Sequence, residues 1–226
     1  AYSTCYNTIW MTAKYQRILL KIGGEALLGS RDYGIDVVAT HKLASEIKQV
    51  HASGVQIALV IGAGNIWRGV AGEKRGIDRS TSDYMGMLGT VINALAMQDA
   101  LEKQAVDTRV QTAIEMKAVA EPFVRRRAIR HMEKGRVVIL AAGVGSPFFT
   151  TDTGAALRAL ELKCDILFKA TEVDGIYERD PLEHPESKRF DEMTFLDAIN
   201  RSGVQVMDTS ALSLCMDNKL PILVFD

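Results

Sequence analysis

The chain has 226 residues, 47% hydrophobic and 24% charged, with a net charge of −1. It can bury a sizeable core as one large domain or two small ones, and its near-neutral balance argues against a primary nucleic-acid or membrane-surface binder. No apolar run approaches the roughly 18 residues needed to cross a bilayer, and three widely spaced cysteines without a CxxC motif, Cys5, Cys164 and Cys215, suit reduced thiols in the cytoplasm.

Residues 1–14 show neither helix nor strand periodicity and lack the features of a secretion signal, so they read as a tail in which Met11 is a candidate start. Arg17 to Ile22 (RILLKI) predicts a buried strand broken by Gly23-Gly24. Lysine inside such a strand is costly unless its ammonium reaches an anion; Lys21 sits where it can, although an edge lysine that snorkels would look the same. Asp36 caps a helix to about Ser53, with Leu43, Ile47 and Val50 as its buried stripe. Strand 55–61 then runs into Gly62-Ala63-Gly64-Asn65-Ile66-Trp67-Arg68-Gly69.

A glycine turn after a buried strand exposes backbone N–H groups to an anion, and Arg68 adds a permanently charged fork suited to phosphate. An ordinary tight turn fits the same residues. Neither named phosphate loop is matched: the dinucleotide fingerprint would need glycine at Trp67, and a Walker A loop would need Lys-Ser/Thr at Val70-Ala71.

Residues 70–82 read as a glycine-rich, charged loop. A long helix follows from Ser82 or Asp83 to about Lys103, with Leu88, Val91, Ile92 and Leu95 inward and its methionines as core filling. A strand at 106–112 precedes a helix at 119–134 whose Arg125, Arg126, Arg127 and Arg130 suit a solvated face. Strand 136–142 enters a second glycine-ended turn, Gly143 to Asp152, before a helix to about Lys163. Two such turns in one chain weaken the turn-only reading. Phe148 and Phe149 can wall a planar ring or join a core, while Asp152 looks out of place unless it holds a lysine or the metal that accompanies phosphates. Strand 165–170, a turn-rich segment to 191 in which Tyr177 could stack on a base, helices 194–201 and 209–218, and strand 220–225 complete an alternation that predicts an α/β parallel sheet with helices on both faces. The four histidines show no ligand spacing.

Six segments in order, RILLKIGGEAL at 17–27, GAGNIWRG at 62–69, SDYMGML at 82–88, GSPFFTTD at 145–152, KATEVDGIYERDP at 169–181 and VMDTSAL at 206–212, resemble the bacterial uridylate (UMP) kinases of the amino acid kinase family from about Tyr15 to Phe225. The resemblance implies a three-layer αβα sandwich with a mainly parallel central sheet. It implies one kinase domain over 15–226, with UMP-binding elements mainly in 55–150 and ATP-binding elements mainly in 165–226 plus Lys21–Gly24. The implied reaction is transfer of the ATP γ-phosphoryl group to UMP, with Mg²⁺, in pyrimidine nucleotide biosynthesis.

Carried over by position, Lys21, Arg68 and Asp152 would be catalytic, with Lys169 a second cation and no metal held by the protein alone. Lys21, Ile22, Gly23, Gly24, Gly64, Arg68, Thr171, Tyr177 and Asp180 would bind ATP. Ala63, Asp83 and the run Gly143, Val144, Gly145, Ser146, Pro147, Phe148, Phe149 and Thr150 would bind UMP, Asp83 through the ribose. The family also implies a homohexamer, activated by GTP and inhibited by UTP, acting on neither nucleic acid nor membrane. Gly29, Ser30, Arg31, Asp32, Tyr33 and Gly34 match the segment linked with GTP, and Arg109 and Arg136 are candidate GTP contacts.

Three departures stand out. Ser146 replaces the usual Asn of GNPFF, Gly23 replaces a common Ser, and the sequence stops at Asp226 where family members usually continue, as in a truncated form. A non-catalytic nucleotide sensor and an amino-acid or carbamate kinase are the rival readings.

Overall fold

The computed structural model describes residues 14–69, 72, 76–204 and 206–226; the tail up to residue 13 and most of the segment 70–75 lie outside the described residues. Seven strands form the main sheet: β1 (Arg17–Ile22), β2 (Gln56–Ile61), β3 (Thr108–Thr112), β4 (Glu121–Pro122), β5 (Val137–Ala141), β6 (Ile166–Ala170) and β9 (Ile222–Phe225), with β7 (Ile176–Tyr177) and β8 (Arg189–Phe190) forming a separate antiparallel ribbon. The main order is β4-β3-β5-β2-β1-β6-β9, and every neighbouring pair runs parallel.

Side chains alternate faces along a strand, and β2 shows why two helical layers form. Ile57, Leu59 and Ile61 enter a core with α1 (Val37–Ala52) and α2 (Arg79–Glu102), whereas Ala58 and Val60 enter a second core with α3 (Arg125–Glu133), α4 (Thr151–Glu161) and α6 (Thr209–Asp217). The short α5 (Phe195–Asn200) precedes α6. Cys164 and Cys215 are buried in that second core, and burial pushes their thiols up to about 12 and about 11, which keeps them in the inert thiol form.

Several boundaries differ from expectation. The long helix starts at Arg79, because Asp78 caps it by accepting from the Thr81 amide at 3.0 Å; Asp83 is therefore inside the helix. Pro122 disfavours helix around it, so Glu121–Pro122 joins the edge of the sheet and α3 begins only at Arg125. The expected loop 181–191 contains β8. On α2 the inward face is Met87, Val91, Ala94, Met97 and Leu101, while Leu88 (49% exposed), Ile92 (51%) and Leu95 (36%) face outward. Between Tyr84 and Met97 that helix is apolar nearly all round, and the side that approaches the sheet carries Gly89, where a Cβ would stand 2.9 Å from the Ala63 Cβ. Val50 is likewise exposed and lines a cleft, whereas Ile47 is buried and Leu43, partly buried, packs against the core while also lining that cleft.

Candidate active site

The chain visits β1 and β2 on one side and returns to β6 on the other, so strand order reverses beside β1. Crevices at such reversals, beyond the carboxyl ends of the strands, are where open parallel sheets place ligands. Three turns leave that edge here: Gly23-Gly24 after β1, Gly62–Gly64 after β2 and Gly143–Gly145 after β5. The first two are pressed together. The Gly62 amide donates to the Ile22 carbonyl at 2.9 Å, and a Cβ on Gly24 would stand 2.8 Å from the Gly64 nitrogen, so only glycine permits this approach.

Lys21 and Lys169 are register partners on β1 and β6 and project from the same face. Asp152, in the first turn of α4, meets both: Oδ1 lies 2.8 Å from Lys21 Nζ, and Oδ2 accepts from Lys169 Nζ at 2.8 Å. All three side chains are only 13–14% exposed. Burial by itself would raise the Asp152 carboxyl, but the two ammonium groups outweigh it and hold the carboxyl below its usual range. Lys169 is lowered, first by burial, with Lys21 adding to the shift and Asp152 opposing it. Two cations thus share the Asp152 carboxylate, with the Asp208 carboxylate also favouring the charged form of Lys169.

Asp208 had no role assigned from sequence, and the structure makes it the support of this group. It caps α6 through the Ala211 amide (3.1 Å), accepts from Thr153 Oγ1 at 2.9 Å and also accepts from Thr150 Oγ1. Thr150 in turn caps α4, its hydroxyl oxygen accepting from the Asp152 and Thr153 amides. The carbonyl of Val206, just ahead of Asp208, accepts from Lys169.

A cleft of about 1160 Å³ gathers Lys21, Gly23, Arg68, Thr171, Tyr177 and Asp180. The Tyr177 hydroxyl donates to Asp174 at 2.6 Å, fixing the ring at the cleft wall. Ile22 also lines this cleft, with its side chain 2% exposed and its carbonyl accepting from the Gly62 amide. Arg68 is paired with Glu25, whose carboxylate lies over the glycine turns; a Cβ on Gly23 would stand 2.7 Å from Glu25 Oε2 and one on Gly64 2.7 Å from Glu25 Cδ. An internal anion therefore occupies the place where sequence puts phosphates, and Gly23 leaves it room.

Asp83 faces the other side of the edge. Its carboxylate accepts from Arg79 Nε at 2.9 Å and from the Phe148 amide at 2.8 Å, tying α2 to the run 143–150. Phe148 and Phe149 are 65% and 54% exposed, free of the core that was the alternative for them. Ser146 is exposed as well. The turn 29–34 lies beside the carboxyl edge of the sheet, its Gly34 bonded to Asn65, whereas Arg109 and Arg136 stand at the amino ends of β3 and β5, with Arg109 against Glu102 and Arg136 against His131. Within one chain those arginines do not join that turn. Of the arginine run on α3, Arg126, Arg127 and Arg130 are exposed, while Arg125 donates to the Glu161 carbonyl.

The amino acid kinase family model matches residues 16–226. A UMP kinase from Bacillus anthracis is 37% identical over 94% of this chain and 87% of its own, with a TM-score of 0.89. A UMP kinase from Ureaplasma parvum is 36% identical over 93% and 89%, with a TM-score of 0.87. Aspartate kinase from Synechocystis, at 20% identity and a TM-score of 0.73 over 37% of its length, shares the fold. Matched over almost its whole length, the chain belongs to the amino acid kinase family, on the branch of the UMP kinases.

Proposed function

We infer that this protein is a UMP kinase, moving the terminal phosphoryl group of ATP onto the phosphate of UMP to give ADP and UDP. The observation that carries the reading is the Lys21–Asp152–Lys169 group set at the carboxyl ends of adjacent strands, beside two glycine turns. A UMP phosphate is already an ionised nucleophile, so no general-base machinery is needed. Transfer through a loose transition state asks for alignment and neutralisation of charge on the migrating group. Lys21 and Lys169 would supply positive charge, Asp152 would hold both ammonium groups in place, and the Gly23–Gly24 and Ala63–Gly64 amides would cradle oxygens. Asp152 faces a lysine ammonium on each oxygen, so Mg²⁺ would enter with ATP as part of the substrate and would supply charge neutralisation there.

ATP is assigned to the cleft, with its phosphates at Lys21–Gly24 and its adenosine at Thr171, Tyr177 and Asp180. UMP is assigned across the edge, with its ribose at Asp83 and its uracil against Gly143–Thr150. A single domain over 15–226 then divides into a UMP-binding part, mainly 55–150, and an ATP-binding part, mainly 165–226. A cytoplasmic role in pyrimidine nucleotide biosynthesis accords with this reading, as does control through GTP and UTP, with the turn 29–34 beside the phosphate edge as the GTP-linked segment. ³¹P NMR with UMP, CMP and aspartate in parallel tests the reaction: UDP from UMP is expected, phosphorylation of aspartate alone would overturn it, and ATP binding without turnover would indicate a sensor.

Arg68 can reach a phosphate only by leaving Glu25. Glu25→Gln is therefore expected to tighten nucleotide binding by about fivefold, since a partly exposed pair contributes no more than about 1 kcal/mol. Titration calorimetry with UMP and ATP reads this, and unchanged affinities would remove Glu25 as a competitor for the cradle.

The outward stripe of α2, with Tyr84, Leu88, Ile92 and Leu95 recurring at helical spacing, supports the proposed hexamer as a contact between copies. Introducing Leu88→Glu together with Ile92→Glu is expected to yield smaller particles in light scattering. An unaltered mass would place the contact elsewhere.

A further inference from the structure

Two asparagines, Asn65 and Asn93, are 2% and 0% exposed, and buried polar groups are retained at a cost unless they bond fully. Here they do. Asn93 Nδ2 donates to the Gly62 carbonyl at 2.7 Å and to Asn65 Oδ1 at 2.7 Å. Asn65 Nδ2 donates back to Asn93 Oδ1 at 3.0 Å and to the Gly34 carbonyl at 2.8 Å. Every amide N–H of the pair is thus engaged, and the Gly34 amide closes the group by donating to the Asn65 carbonyl at 2.9 Å.

The members come from three separate elements. Asn93 lies in the middle of α2, Asn65 follows the β2 turn, and Gly34 ends the turn 29–34. Gly24 presses on the same spot, where a Cβ would overlap Asn65 Oδ1. An apolar residue at 93 would suit the apolar middle of α2 but would take away the side-chain donor that the Gly62 carbonyl has in Asn93. The pair therefore holds the two glycine turns at one spacing and makes the turn 29–34 continuous with them.

We propose that Asn93, acting through Asn65, is a positioning residue for phosphoryl transfer and that it couples the order of the turn 29–34 to occupancy of the glycine cradle. The proposal rests on the UMP kinase reading, since the cradle it positions is that of the phosphates. Neither asparagine needs to touch substrate. A cradle displaced by about 1 Å misaligns donor and acceptor, and such misplacement costs about 100-fold in rate.

The test compares the full chain with its Asn93→Ala variant in two measurements. In steady-state assays kcat is expected to fall about 100-fold, with the KM values for ATP and UMP changing much less. In amide hydrogen exchange, adding UMP to the wild type is expected to slow exchange over residues 30–34, and this response is expected to vanish in the variant. Loss of stability alone would not abolish a ligand response in molecules that remain folded. Should the alanine variant fail to fold, Asn93→Ser, whose hydroxyl can replace one of the two donated bonds, is expected to show a smaller loss of both readouts. Normal kcat with an intact response at 30–34 in either folded variant overturns the proposal. If the wild type itself does not turn over UMP, the kinase reading fails. The ligand-free exchange rate of Gly34 then still decides the tether: faster in the variant supports it, and equal rates overturn it.

Discussion

Lys21→Ala is expected to reduce turnover by more than ~100-fold, the scale seen when one preorganised donor to a developing charge is removed. The lysine reaches the site because RILLKI places it one residue before the end of β1, on the face where Asp152 can receive it at 2.8 Å. Its loss leaves Lys169 on Asp152, so the carboxylate keeps a partner and the fold survives. The deficit should therefore appear in kcat, with the KM for UMP little changed, as expected for an interaction made chiefly in the transition state. Steady-state assays coupled to ADP release measure it. Near-normal rates would take Lys21 out of the mechanism.

Asp152→Asn is expected to do more, because it damages both chemistry and stability. A neutral amide beside two ammonium groups leaves them repelling one another in a site 13–14% exposed. Removing one member of a buried ion pair costs about 3–5 kcal/mol, and turnover should fall at least ~100-fold as both lysines lose their orientation. The acid limb of the stability curve gives a second reading. Asp152 has a lowered folded-state pKa, so its contribution is fully present above the ordinary aspartate value of about 3.9. That contribution disappears as pH falls through the lowered value. Thermal melts from neutral to acid pH should show this loss in the wild type and a flatter dependence in the asparagine variant. Parallel curves would mean that the pair contributes nothing net to folding.

Much of this site was legible because its residues violate local expectation. A lysine inside an apolar strand, an aspartate at a glycine-ended turn, and arginine beside glycines each require a partner, and Lys21 and Asp152 are indeed each other's. Strand faces were legible too, since alternation in β2 separates Ile57, Leu59 and Ile61 from Ala58 and Val60. Pairing across long sequence distance was not. That Lys169 stands beside Lys21 follows from β6 adding next to β1, which depends on sheet order rather than on any local pattern. Glu25 gave no signal because a glutamate in the turn after a strand is ordinary; only the fold turns it over the cradle. Asn93 was hidden among apolar neighbours on α2. Reading that helix by its largest side chains chose Leu88, Ile92 and Leu95, whereas burial went to a face carrying Thr90 and Asn93, which bond the Ala142 amide and the Gly62 carbonyl. Backbone groups at the sheet edge needed donors and acceptors, and that need outweighed side-chain size.

A crystal structure with UMP and a non-hydrolysable ATP analogue tests the central claim most directly. The account predicts the terminal phosphate of the analogue against Lys21 and Gly23–Gly24, the UMP phosphate at Ala63–Gly64 with Arg68 released from Glu25, and the UMP ribose on Asp83. UMP bound at the amino ends of the strands, or any arrangement that leaves the two phosphates too far apart to meet at the Lys21–Asp152–Lys169 group, would contradict it.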